Sequence, residues 1–136
     1  MSTKIESKHV EINKPVQVVF DFVKDFNNIK QLLPQDKISD WKSDFDQCSF
    51  KIQNAAVIPL VKESVDEPNV IHIVSGEKTP FPFTLKITFN ELSANKTEAF
   101  LNFDGEINAF LKMMVVKPLT NLFNYMAAEL KVVSEK

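Results

Sequence analysis

The C-terminal stretch 107–134 constrains the fold more than any other part of the chain. Leu111, Met114, Val115, Leu119, Leu122, Met126, Leu130 and Val133 recur at helical spacing and share one broad face. At 1.5 Å per residue the segment predicts a helix roughly 40 Å long. Its apolar arc spans about half the circumference, wider than the ~100° stripe of an ordinary surface helix. A flat sheet covers only a narrow stripe, so the arc calls for a sheet that curves around the helix. Pro118 brings no N–H to the carbonyl of Met114 and predicts a kink there.

From about residue 36 to 105 the period changes to two. Cys48, Phe50 and Ile52 alternate with Ser49 and Lys51, and Phe83, Leu85, Ile87 and Phe89 with Thr84, Lys86 and Thr88. Ala99, Leu101 and Phe103 alternate with Glu98, Asn102 and Asp104, although Phe100 places an apolar ring on the polar side. Weaker strands are predicted near 56–65 and 69–75. Turns are expected at Asp44–Asp46, Glu67–Asn69 and Ser93–Lys96, with Asn69 and Asn95 in left-handed positions. Ahead of this block, Ile5, Val10 and Ile12 suggest one edge-like strand over 3–12. Asn13-Lys14-Pro15 reads as a capped helix start, and Val16, Val19, Phe20 and Val23 follow at helical spacing. Asp25 to Asn28 breaks that helix; Ile29, Leu32 and Leu33 suggest one or two further turns before Pro34. Consecutive strands joined by tight turns pair antiparallel, so the class is α+β, in one domain over 1–136.

Composition removes several kinds of chemistry. None of the 16 basic residues is arginine, so no guanidinium fork exists for phosphate, carboxylate or guanine. The two glycines, Gly76 and Gly105, stand apart and cannot build a phosphate-cradling loop. One cysteine excludes an internal disulfide, and a zinc site of soft ligands would consume His9, His72 and Cys48 together. Nothing points to a cofactor or a metal. A net charge of −2 with dispersed lysines argues against nucleic acid. The polar opening MSTKIESKHVEIN lacks a signal-peptide core, and no run approaches membrane-spanning length, so a cytoplasmic monomer or homodimer is expected. With the apolar face of the long helix turned inward, membrane contact is expected to be transient only.

Few residues are candidates for catalysis. His9 reads as surface, Cys48 as a buried and inert thiol, and Asp44/Asp46 and Asp104/Glu106 as turn residues. Asp21 and Asp25 read as a solvated face. No catalytic residue is assigned. His72, in NVIHIVS, and Glu129, inside the apolar arc, are the polar groups that would enter a cavity if any do.

The segments VEINKPVQVVFDFVKD, DWKSDFDQCSFKI, PFPFTLKITF and FLKMMVVKPLTNLFNYMAAELK resemble a small bacterial branch of the START-like, or SRPBCC, superfamily of polyketide cyclase-like proteins. The resemblance implies the helix-grip fold: a curved antiparallel sheet of about six to seven strands wrapped around a long C-terminal helix, with two short helices after the first strand. It also implies an elongated cavity between sheet and helix that holds a small apolar or amphipathic molecule of lipid, polyketide or isoprenoid type. Phe50, Ile52, Leu85, Ile87, Phe89, Leu101 and Phe103 would line it from the sheet, and Met114, Leu122 and Met126 from the helix. Met113 would extend that adaptable wall, and Thr79–Phe83 would form a lip at its mouth. Two other functions remain open: a cyclase or dehydratase using a polar cavity residue, and a protein-interaction module like the START-like chaperone activators.

Overall fold

The computed structural model describes residues 2–52 and 56–136. Its strands are β1 (Thr3–Glu6), β2 (Val10–Ile12), β3 (Ile38–Ser43), β4 (Gln47–Ile52), β5 (Ala56–Asp66), β6 (Val70–Ser75), β7 (Phe83–Ser93) and β8 (Lys96–Gly105). They form one antiparallel sheet in the order β1-β8-β7-β6-β5-β4-β3, with β2 also on β8. β1 pairs with residues 102–105 of β8 and β2 with 97–99, so the two lie end to end along one edge. The eight strands thus occupy seven places across the sheet. The predicted single strand over 3–12 is broken because Ser7 turns inward. Its N–H donates to the Leu101 carbonyl, and its hydroxyl oxygen accepts the Leu101 N–H at 2.8 Å.

Helix α1 (Val16–Lys24) buries Val16, Val19, Phe20 and Val23, the residues whose spacing predicts it. Its start differs from expectation. Pro15 occupies the N-cap position with no side-chain cap, and its carbonyl accepts from Val18 and Val19. Asn13 lies too early to cap; its own N–H donates to Glu135. Asp25 then caps a 3₁₀ segment, Phe26–Leu32, by accepting the Asn27 N–H at 3.0 Å. Phe26, Ile29, Leu32 and Leu33 are buried there.

The expected left-handed asparagines are absent. Asn69 instead donates its amide to the Phe89 carbonyl, and its N–H closes the Asp66–Asn69 turn, where the Glu67–Pro68 peptide is cis. The reversal near Asn95 is accompanied by a register shift between Glu91 and Ser93. Among the described non-glycine residues it is Asp40 that has positive φ, at 55°, within the register shift of β3. A short polar side chain tolerates that conformation, and a bulge needs it.

Helix α2 (Ala109–Ser134) runs through Pro118 as one helix, opened by Asn108, whose side chain accepts the Leu111 N–H. It packs on β1, β2, β8, α1 and the 3₁₀ segment. Its described hydrogen bonds to the rest of the chain all come from its C-terminal half. Asn124 accepts from Lys8, Lys131 donates to the Glu11 carbonyl, and Glu135, its C-cap, accepts from Asn13.

Candidate functional site

The pleat sends alternate side chains of β4, β7 and β8 to the face that α2 covers. Phe50, Ile52, Leu85, Ile87, Phe89, Leu101 and Phe103 all lie there, none more than 4% exposed. Leu122 and Met126 meet them from α2, at 2% each. These nine belong to one continuous core that also takes in Phe20, Phe26, Ile71 and Ile73. A residue lining an open chamber offers surface to water from within, and these offer almost none. The interior is therefore filled by side chains, as cores are.

Met114, expected to complete the wall, is 51% exposed, and Met113 is 88% exposed. On α2 the buried residues are Val115, Leu119, Leu122, Phe123, Met126, Ala127 and Leu130. Met114 precedes Val115 by one residue, or about 100° of rotation, and so points outward. The broad arc read from the sequence is wide because part of it faces solvent.

One end of the interior is aromatic. The Phe103 ring centroid lies 5.4 Å from those of Phe83 and Phe123 and 6.4 Å from that of Phe81. Of the 79–83 segment, Phe81 and Phe83 are buried in this cluster while Pro80 and Pro82 are exposed. Gly105 makes room for it: a Cβ there would stand 2.7 Å from the Phe103 ring. Thr3 pairs with Gly105, which pairs with Phe83, so all three share the inner face. Thr3 is buried, and its hydroxyl has no hydrogen-bond partner among the described residues. Sequence reasoning missed Thr3, because a threonine in an edge strand carries no mark of which face it takes.

The titratable candidates lie elsewhere. His72 sits on the outer face of β6, paired across to Ser64 and Lys86, with Nε2 2.9 Å from Asp66 Oδ2. It borders an outer groove of about 660 Å³ together with Lys4, Glu6, Lys86 and Asp104. A second outer groove, about 960 Å³, runs past Trp41, Lys42, Lys51 and Pro59. Glu129 is half-buried on α2 and belongs to none of the described ion pairs. Cys48 is buried, and burial, with Asp44 adding a smaller effect, pushes its thiol up to about 12. Asp44 accepts the N–H groups of Asp46 and Gln47 and so shapes its turn. Asp25 caps the 3₁₀ segment, and Asp21 accepts from Gln17 on the surface. His9 stacks on Phe100 with ring centroids 3.9 Å apart, covering the apolar ring that interrupts the outer face of β8. Among the described residues no three metal-ligating side chains converge.

No protein-family model and no curated protein matches the chain by sequence. Solved structures match it over nearly its whole length. A START superfamily protein from Mycobacterium smegmatis has a TM-score of 0.71 at 16% identity, covering 97% of each chain. The Zhui aromatase/cyclase from a Streptomyces species has a TM-score of 0.78 at 13% identity, covering 99% of this chain and 94% of its own. Truncated norcoclaurine synthase from Thalictrum flavum has a TM-score of 0.74 at 11% identity, covering 98% and 93%. With its curved antiparallel sheet and long C-terminal helix, the chain has the helix-grip fold of START-like proteins.

Proposed function

We propose that the chain binds a small hydrophobic or amphipathic molecule between the sheet and α2, admitting it by repacking side chains rather than into a standing chamber. The observation that carries this reading is the Thr3 hydroxyl, buried and without a partner among the described residues, at the aromatic end of an otherwise apolar wall. Leaving such a group unsatisfied costs about 1–3 kcal/mol, which a ligand oxygen at that point would recover. The likeness in fold to an aromatase/cyclase supports the same direction. The ligand class is therefore a mostly apolar molecule with one polar atom. Met126 supports repacking, since an unbranched thioether fills irregular space easily.

Binding is preferred to proton-transfer catalysis because His72 faces outward and Glu129 lies at the margin of the buried stripe. The test pairs native mass spectrometry of the protein from its own host with titration of a naphthalene-type fluorescent probe. A co-purifying small molecule or saturable 1:1 probe binding is expected, weakened in Thr3→Val when the ligand carries an oxygen. Absence of both would refute the reading. Turnover of a bound molecule that stops in Glu129→Gln would replace it with the cyclase or dehydratase reading.

A further inference from the structure

Thr3, Ser7 and Thr97 are the polar residues buried in the described chain, and no charged residue joins them. The Ser7 hydroxyl donates to the Lys8 carbonyl and accepts the Leu101 N–H, and the Thr97 hydroxyl donates to the Lys14 carbonyl. The Thr3 hydroxyl has no partner among the described residues. Lys4, its neighbour on β1, takes the opposite, exposed face. Lys62, whose side chain is largely covered, commits its ammonium to the Phe45 carbonyl and to Asp46. The interior thus offers a ligand one hydroxyl and no charge.

Gly105 decides what lies beside that hydroxyl. It pairs with Thr3 on β1 and with Phe83 on β7, and brings no side chain to the inner face between them. The Phe103 ring covers the place instead: its Cζ stands 2.7 Å from where a Cβ on Gly105 would lie. Turned away, that ring uncovers a slot of phenyl thickness, floored by the Gly105 backbone and flanked by the Thr3 hydroxyl and Phe83. Ile107 Cγ1, 3.4 Å from the same point, closes the slot where the chain leads into α2. The described side-chain bonds that hold α2 to other elements lie in its C-terminal half, so the wall next to the slot is the least fixed.

We propose that Phe103 is a plug, and that the ligand is a flat aromatic molecule with one uncharged oxygen, its ring replacing that of Phe103 over Gly105 and its oxygen meeting the Thr3 hydroxyl. This rests on the ligand-binding reading and narrows it. Phe103 lies 5.4 Å from Phe83 and Phe123 and 6.4 Å from Phe81, ring centroid to ring centroid. A ligand ring restores the edge and face contacts that Phe103 gives up on leaving; a methylene chain does not. A hydroxyl or a carbonyl oxygen suits Thr3, which both donates and accepts. A carboxylate would be buried with no ammonium to pair it, so fatty acids are rejected.

The test is fluorescence titration of the full chain at about pH 7 with 2-naphthol, naphthalene and 2-naphthoate, with 1-decanol as competitor. The phenol is neutral there and the carboxylate charged. 2-Naphthol should bind about tenfold tighter than naphthalene, as one neutral hydrogen bond gives, and at least about a hundredfold tighter than 2-naphthoate. 1-Decanol should compete weakly. Thr3→Val should erase the preference for 2-naphthol over naphthalene, and Thr3→Ser should keep it. The thermal midpoint of Thr3→Val should equal or exceed the parent's, since the substitution removes an unsatisfied hydroxyl. Phe103→Leu should bind 2-naphthol several-fold tighter, because the slot no longer has to be vacated. Equal affinity for 2-naphthol and naphthalene, a preference that survives in Thr3→Val, or no gain in Phe103→Leu would overturn the proposal and leave the ligand-binding reading standing. Tightest binding of 2-naphthoate or 1-decanol would do the same. No binding of any of the four would remove both.

Discussion

Met126 and Met114 belong to one apolar arc in the sequence, yet the structure buries the first and leaves the second half exposed. Truncating each to alanine separates the two environments. Met126 is 2% exposed and lies within the continuous core. Its truncation removes packed atoms and leaves a cavity that its neighbours fill only in part, at a cost of about 2–5 kcal/mol. For a chain of this length about 3–4 °C of midpoint accompanies each kcal/mol, so the loss should be roughly 7–17 °C. Met114, at 51% exposure, should change stability by less than about 0.5 kcal/mol. Urea unfolding followed by circular dichroism reads both. Met126→Ala should also bind benzene or indole better than the parent, since an apolar cavity opened in a core stays dry and accepts such molecules. That binding would raise the midpoint with ligand concentration. A loss below about 1 kcal/mol at Met126 would mean few packed neighbours. The interior would then be open, and the account of a filled core would fail.

Three further outcomes follow from local geometry. Gly105→Ala puts a Cβ 2.7 Å from the Phe103 ring and should cost about 1–3 kcal/mol, as overpacking does; an unchanged urea midpoint would refute the tight aromatic end. His9 lies between Glu6 and Glu98, and its hydrogen bond to Glu6, with a smaller contribution from Glu98, raises its pKa above 6.5. The His9 contribution is therefore full below 6.5 and lost as pH rises through the raised value. Glu6 and Glu98 are held below 4.5, so theirs is present above 4.5 and lost as pH falls through the lowered values. His9→Ala should thus lower the thermal midpoint more between about pH 4.5 and 6.5 than at pH 9, where only its stack on Phe100 is lost, and the difference is modest because the cluster is exposed. An equal effect at both ends would exclude this linkage. Cys48, with its thiol near 12, should resist iodoacetamide at pH 8 until the chain unfolds; rapid labelling of native protein would show it accessible.

The sheet was legible because its strands alternate. Phe83, Leu85, Ile87 and Phe89 face inward on β7 as their period requires, and a strand offers only two faces, so one buried residue fixes the rest. The edge was less legible. Ser7 breaks the first strand through bonds of its N–H and its hydroxyl to the Leu101 backbone, and that partner is 94 residues away. Turn chemistry was readable in kind but not in geometry. Asn69 is a turn residue through its side-chain bond to Phe89, not through a left-handed backbone.

How the interior is filled and which side of the long helix meets solvent were not legible, for a common reason. Periodicity reports which residues resemble one another, not what covers them. In α2 an apolar residue is consistent with core, with a ligand wall or with an exposed contact surface, and all three give the same wheel. Burial distinguishes them: Leu122 and Met126 are core, whereas Phe110, Met113 and Met114 are largely exposed. The division follows how the helix is held. The described bonds that fix α2 to the sheet side come from Asn124, Lys131 and Glu135, so its C-terminal half is committed to the core. Its first two turns lie ahead of those ties and of the buried run that starts at Val115. There Leu111 packs against the core, whereas Phe110, Met113 and Met114 stay largely in water. The same segment that demands a curved sheet over its inner face thus leaves apolar side chains on its outer one.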